Sequence, residues 1–115
     1  MRELFALNKE IRDFADVIIY GAGNAGKAVF LKLLQRDIKV LCFADSDPEK
    51  CGKTHLNIPV VHIDDLTERR DAAVIVCGAY MFPVERELRK RGFHNLFHDC
   101  ANEAGILHLE RDEAS

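Results

Sequence analysis

The sequence predicts one doubly wound α/β domain: a parallel sheet of about five strands in the order 3-2-1-4-5, with helices on both faces. Three observations carry this. Strand-like apolar runs alternate with helix-period segments along the chain, the pattern of right-handed crossovers. The run Ile38 to Ala44 is apolar almost throughout, as a strand buried on both faces must be. Finally, Val17-Ile18-Ile19-Tyr20 enters Gly21-Ala22-Gly23-Asn24-Ala25-Gly26-Lys27, and Ala28-Val29-Phe30-Leu31-Lys32-Leu33-Leu34 leaves it. That is a strand, a three-glycine turn and a helix in immediate succession.

The elements follow in order. Leu4, Leu7, Ile11 and Phe14 stand at helical spacing among charges, so residues 2–14 predict an amphipathic helix ahead of the first strand at about 16–20. Asn24 to Gln35 predicts the first crossover helix, with Ala25, Ala28, Leu31 and Leu34 as its apolar stripe. The second strand ends at Asp45. Residues 46–57 are polar, hold Pro48 and Gly52, and read as a loop with a short helical turn. Ile58-Pro59-Val60-Val61 is a short third strand, with Pro59 near its beginning. Asp64 to Arg70 predicts a short helix with Asp64 or Asp65 near its N-cap. Ala73 to Cys77 is a fourth strand ending at Gly78. A helix from about Phe82 to Lys90 stops at Gly92, and Leu96-Phe97-His98 forms the core of a fifth strand. Residues 101–110 suggest a last short helix, followed by a frayed tail.

At 115 residues the chain reads as one domain over 1–115, long enough for a substantial core. Apolar residues make up 48% and charged residues 30%, ordinary for a folded globular protein. A net charge of −3 argues against a nucleic-acid or anionic-membrane partner, and no apolar run reaches membrane-spanning length. The basic residues at 69–70 and 86–91 are interrupted by acids or apolar residues and read as solvated helix faces. The N-terminus lacks a signal-peptide layout, so a cytoplasmic protein is expected. Cys42, Cys51, Cys77 and Cys100 form no zinc-type spacing and are expected as free thiols.

The G-x-G-x-x-G spacing between strand and helix fits the place where a pyrophosphate meets a helix N-terminus. Gly21 allows the tight turn, Gly23 lets a phosphate approach the backbone, and Gly26 lets the helix pack against the sheet. Asn24 and Ala25 supply amides in the first turn. Asp45 follows the last glycine by nineteen positions, at the second strand's end, where a carboxylate accepts from a ribose diol. It would repel a 2′-phosphate, which favours NAD(H) over NADP(H). The competing reading makes Asp45 a loop cap through Ser46 and Asp47. Lys50 and Lys53 are in reach of a phosphate from that loop, but such lysines are more often only solvated. Gly78-Ala79-Tyr80 lies at the carboxyl end of the fourth strand, where strand order reverses, with room for a base or ribose; Tyr80 reads equally as a stacking or hydrogen-bonding partner and as a partly buried wall residue.

Weaker candidates surround these. His94 and His98 are four apart but flank a strand, which argues against a metal pair. His62 reads as a strand-to-helix boundary. Cys51 lies in an exposed loop with only Lys50 and Lys53 as basic neighbours. Ser, His, Lys and Tyr form no catalytic constellation in the sequence.

The string Gly21-Ala22-Gly23-Asn24-Ala25-Gly26, then Phe43-Ala44-Asp45-Ser46-Asp47-Pro48-Glu49-Lys50-Cys51-Gly52-Lys53, then Ile58-Pro59-Val60-Val61-His62-Ile63-Asp64-Asp65-Leu66 resembles the NAD(H)-binding domain of the redox-sensing repressor family Rex. It is also similar to small Rossmann domains of bacterial sugar-nucleotide enzymes. The resemblance spans about residues 16–98 and implies a Rossmann-like domain. It places Gly21, Gly23 and Gly26 at a pyrophosphate and Asp45 at a ribose. Rex chains carry a winged-helix domain ahead of this one, and only fifteen residues precede the first strand here. Cys77-Gly78-Ala79-Tyr80-Met81-Phe82-Pro83 also departs from the Val-Pro of that family. The expected function is therefore a dinucleotide-binding module for NAD(H), without catalytic residues of its own, serving a partner domain or a second copy. The alternatives are a UDP-sugar domain of surface-polysaccharide synthesis and a ligand-free assembly domain.

Overall fold

The computed structural model describes residues 2–3, 11–77 and 81–98. Its elements are β1 (Arg2–Glu3), β2 (Val17–Tyr20), α1 (Asn24–Gln35), β3 (Cys42–Asp45), β4 (Thr54–His55), β5 (Ile58–His62), a 3₁₀ segment (Ile63–Arg69), β6 (Ala73–Val76), α2 (Met81–Lys90) and β7 (Asn95–His98). The sheet order is β1-β7-β6-β2-β3-β5-β4. Its middle five strands are the expected five in the expected order, all parallel.

Alternation along the strands divides the core between the two faces. Val17, Ile19, Phe43, Ala73, Ile75 and Phe97 share one cluster with Val29 and Leu33 of α1. Ile18, Cys42, Ala44, Val74, Val76 and Leu96 share the other with Ile63, Leu66 and Leu88. The apolar runs are continuous because both faces are covered.

Several expectations are corrected. Residues 2–14 are not one helix: Arg2–Glu3 pairs parallel with β7, whose open edge offers backbone partners to an extended segment. Residues 4–10 lie outside the described ones, as does the expected C-terminal helix at 101–110. The second strand pairs only from Cys42, although Ile38 and Val40 still pack on the core. The polar loop contains β4, which turns back antiparallel onto β5 through Leu56 and Asn57, at φ 55° and 64°. Two consecutive positive φ values make a type I′ hairpin, usually signalled by Asn-Gly. The 3₁₀ segment is capped by His62, whose Nδ1 accepts the Asp64 amide at 3.1 Å, with Asp64 and Asp65 beside the cap in the first turn.

The stripe of α1 is also rotated from expectation. Gly26, Val29 and Leu33 are buried, whereas Leu31 and Leu34 are 43% and 56% exposed. Gly26 sets this phase, because only a residue without a Cβ fits where α1 touches the turn and Phe43. Leu33→Ala is therefore expected to cost about 3 kcal/mol, and Leu34→Ala less than about 0.5 kcal/mol. Urea unfolding of the two variants measures the difference.

The basic segments are paired on the surface. Arg69 meets Asp16 at 2.9 Å, Arg89 meets Glu85 at 3.1 Å, and Arg91 meets Asp64 at 3.0 Å. Among the described residues, no helix is long and apolar enough to cross a membrane.

Candidate functional site

The turn after β2 is fixed from several directions. Gly21 sits at φ 115°, a conformation that side chains rarely adopt, and its amide donates to the Ala44 carbonyl at 2.7 Å. A Cβ on Gly26 would run into the Gly21 carbonyl oxygen and stand 3.3 Å from Phe43 Cε1. Gly23 differs from both. It is extended, at φ −137° and ψ −156°, and nothing lies within 4 Å of where its Cβ would stand. It is the N-cap of α1, yet no side chain caps the helix. The first amides of α1, from Asn24, Ala25 and Gly26, have no intrahelical acceptor by geometry. They carry the positive end of the helix dipole.

Asp45 closes the other side. Its Oδ2 accepts the Ala22 amide at 3.0 Å, and its Oδ1 accepts the Asp47 amide at 2.9 Å. The loop cap through Asp47 is therefore made, and a second bond reaches back to the glycine turn. The carboxylate is 13% exposed, and Lys50 Nζ stands 4.0 Å from Oδ2. Both oxygens are engaged once, and a carboxylate has lone pairs left for further donors. Ser46 is exposed beside it, and Lys53 is exposed.

The structure thus brings together Gly21, Gly23, Asn24, Ala25, Gly26, Asp45 and Ser46. Gly78, Ala79 and Tyr80 lie outside the described residues. The strand that leads to them, β6, pairs with β2, with Tyr20 opposite Val76. The Cys77 carbonyl oxygen is 4.0 Å from a Cβ built on Gly21, so the fourth strand ends at the turn.

One residue at the turn had no assigned role in the sequence. His55, on β4, places Nε2 at 3.2 Å from the Gly23 carbonyl oxygen. Its ring stands edge-on to Phe43, with centroids 4.8 Å apart. A loop histidine 32 residues from its partner leaves no mark in local patterning. Phe43 also contacts Phe30, at 5.9 Å between centroids, so one buried aromatic supports the histidine, α1 and the third glycine.

Two of the thiols, Cys42 and Cys51, are held neutral. Burial raises the Cys42 pKa to about 11. Burial, then the carboxylates of Asp45, Asp47 and Asp65, push the Cys51 thiol up, and its Sγ lies 3.2 Å from the Asp47 carbonyl oxygen. Cys51 is thus a poor nucleophile, because the thiolate is the reactive form. His94 precedes β7 and His98 is its last residue. A cleft of about 500 Å³ is lined by Asp13, Asp16, Glu68, Arg69 and Asp71, among others. It opens at the amino ends of β2 and β6, across the sheet from the glycine turn. Its four carboxylates make it unsuited to an anionic nucleotide.

A parallel sheet in this order, with a glycine turn opening α1 and an acid ending the adjacent strand, defines a Rossmann-like α/β domain. The chain belongs to the family described as C2185-like, N-terminal, whose profile matches residues 14–95. It is 35% identical over 54 residues to the redox-sensing transcriptional repressor Rex of Caldicellulosiruptor saccharolyticus, a match over 45% of this chain and 25% of that protein. Its fold is similar to the crystal structure of RSP, a Rex-family repressor, at a TM-score of 0.58 and 15% identity. That match covers 96% of this chain and 64% of RSP. The resemblance to Rex read from the residues is borne out in the fold. The chain matches a quarter of one relative's length and less than two thirds of the other's. Both are repressors by name, which runs against the expectation, drawn from charge and length, that no nucleic acid is a partner.

Proposed function

We propose that this chain is a dinucleotide-binding module for NAD(H). The pyrophosphate lies over the turn at Gly21 and Gly23 and on the first amides of α1, those of Asn24, Ala25 and Gly26, and the adenosine ribose lies against Asp45 and Ser46. Gly78, Ala79 and Tyr80, which follow β6 in the sequence, belong to the proposed site. A partner domain or a second copy supplies whatever follows from binding.

The observation that carries this reading is Gly23. Gly21 is required by its φ and Gly26 by a backbone contact, but the fold itself places no such demand on Gly23. A glycine with open space in front of an uncapped helix N-terminus is accounted for by an anion that comes close. The likeness to Rex supports the same ligand class.

Thermal-shift measurements with NADH, NADPH, a UDP-sugar and coenzyme A test it. NADH at a hundred times its dissociation constant should stabilise the protein by about 2.7 kcal/mol. Gly23→Val should melt like the wild type without ligand, because its site is open, and should lose the NADH response. A response to UDP-sugar without one to NADH replaces the dinucleotide by a sugar nucleotide. No response to any of the four leaves a structural domain.

A further inference from the structure

We propose that His55 is a positioning residue of the phosphate turn: the edge hairpin β4–β5 holds the Gly23–Asn24 peptide in the orientation that presents the Asn24 amide to a diphosphate. This deepens the nucleotide reading above and rests on it.

A carbonyl oxygen only accepts, so the 3.2 Å contact requires the proton on His55 Nε2. The same oxygen accepts the Lys27 amide at 2.9 Å, the first hydrogen bond of α1. Two donors on one carbonyl fix the plane of that peptide. In a trans peptide the carbonyl and the following N–H point in opposite directions, and no described peptide is cis. The Asn24 N–H is thereby turned out of the helix end. Were this peptide to flip, its carbonyl oxygen would face the anion and one donor would be lost.

The imidazole is itself braced. Phe43, fully buried in β3, lies edge-on to it. The hairpin that carries it holds Leu56 and Asn57 at positive φ, a conformation unfavourable for leucine. A strained turn is kept where it delivers a side chain to a particular place. Here the delivered side chain is His55, and the place is the N-cap carbonyl of the nucleotide-facing helix.

The test uses ¹⁵N-labelled protein and three variants, His55→Leu, His55→Gln and Thr54→Ala. In the ligand-free wild type, imidazole ¹⁵N shifts should report the Nε2–H tautomer. His55→Leu should move or broaden the Asn24 and Ala25 amide resonances and weaken NADH binding about tenfold, the loss of one hydrogen bond. His55→Gln retains a donor and should recover most of both. Thr54→Ala, an exposed change in the same strand, should alter neither, which separates loss of the donor from loss of the hairpin. An Nδ1–H tautomer, wild-type amide resonances in ligand-free His55→Leu, or equal losses in the Leu and Gln variants would overturn the proposal. Absence of any NADH response in the wild type removes the nucleotide reading instead, and the ligand-free amide resonances still decide whether His55 holds the turn.

Discussion

Gly26→Ala is expected to destabilise the domain by about 3 kcal/mol or more and to abolish nucleotide binding. Alanine is ordinarily the better residue inside a helix, by about 1 kcal/mol over glycine, so propensity predicts the opposite sign. Packing decides against propensity here. The added methyl meets the Gly21 carbonyl oxygen, which is backbone and has no rotamer to escape into. Gly21 cannot retreat easily, because its amide is tied to Ala44 and its φ of 115° is already special. On the other side the methyl stands 3.3 Å from a buried phenylalanine ring that also supports His55. Relief therefore requires α1 to lift from the sheet, exposing Val29 and Leu33. Denaturant unfolding gives the stability, and NADH titration gives the binding. A variant as stable as the wild type would show that the turn yields at no cost, and the phase assigned to α1 would then lose its cause. Gly23→Val is the natural comparison: a larger side chain at a nearby glycine, with little effect on stability because its space is empty.

These two glycines show how far local sequence carries. The turn, the bounds of α1 at Asn24–Gln35, the five parallel strands and their order were all legible, because each rests on spacing within a few residues or on strand-helix alternation. The rotation of α1 was not. Ala25, Ala28, Leu31 and Leu34 make a plausible apolar stripe, yet Leu31 and Leu34 face outward. The decisive clue was already in the motif, since a glycine kept for close packing must itself point at the sheet. Val29 and Leu33 follow it at three and seven positions. The hairpin was hidden for a different reason. Leu56-Asn57 lacks the glycine that normally marks a type I′ turn, and a two-residue strand carries too little periodicity to detect. With the hairpin went His55. Its hydrogen bond crosses 32 residues and that of Asp45 to Ala22 crosses 23, so both belong to tertiary structure alone.

Asp45→Ala should weaken NADH binding by roughly 10- to 100-fold, the range set by hydrogen bonds to a charged group, and should also lower stability without ligand by about 1–3 kcal/mol. The second effect follows from the bonds the carboxylate already makes. Removing it strips the acceptor from the Ala22 and Asp47 amides, releasing the glycine turn on one side and the loop after β3 on the other. The variant therefore weakens binding by two routes, a looser turn and a lost ribose acceptor, which a single affinity cannot separate. ADP and 2′,3′-dideoxy-ADP separate them, since both carry the diphosphate and only one carries the diol. If Asp45 accepts from the ribose, the wild type should prefer ADP about tenfold, and Asp45→Ala should bind both equally weakly. A wild type indifferent to the diol, together with an equal loss of both ligands in the variant, would confine Asp45 to holding the turn. Isothermal titration of four protein–ligand pairs completes this cycle, and its coupling energy isolates the contact between carboxylate and diol from the shared loosening of the turn.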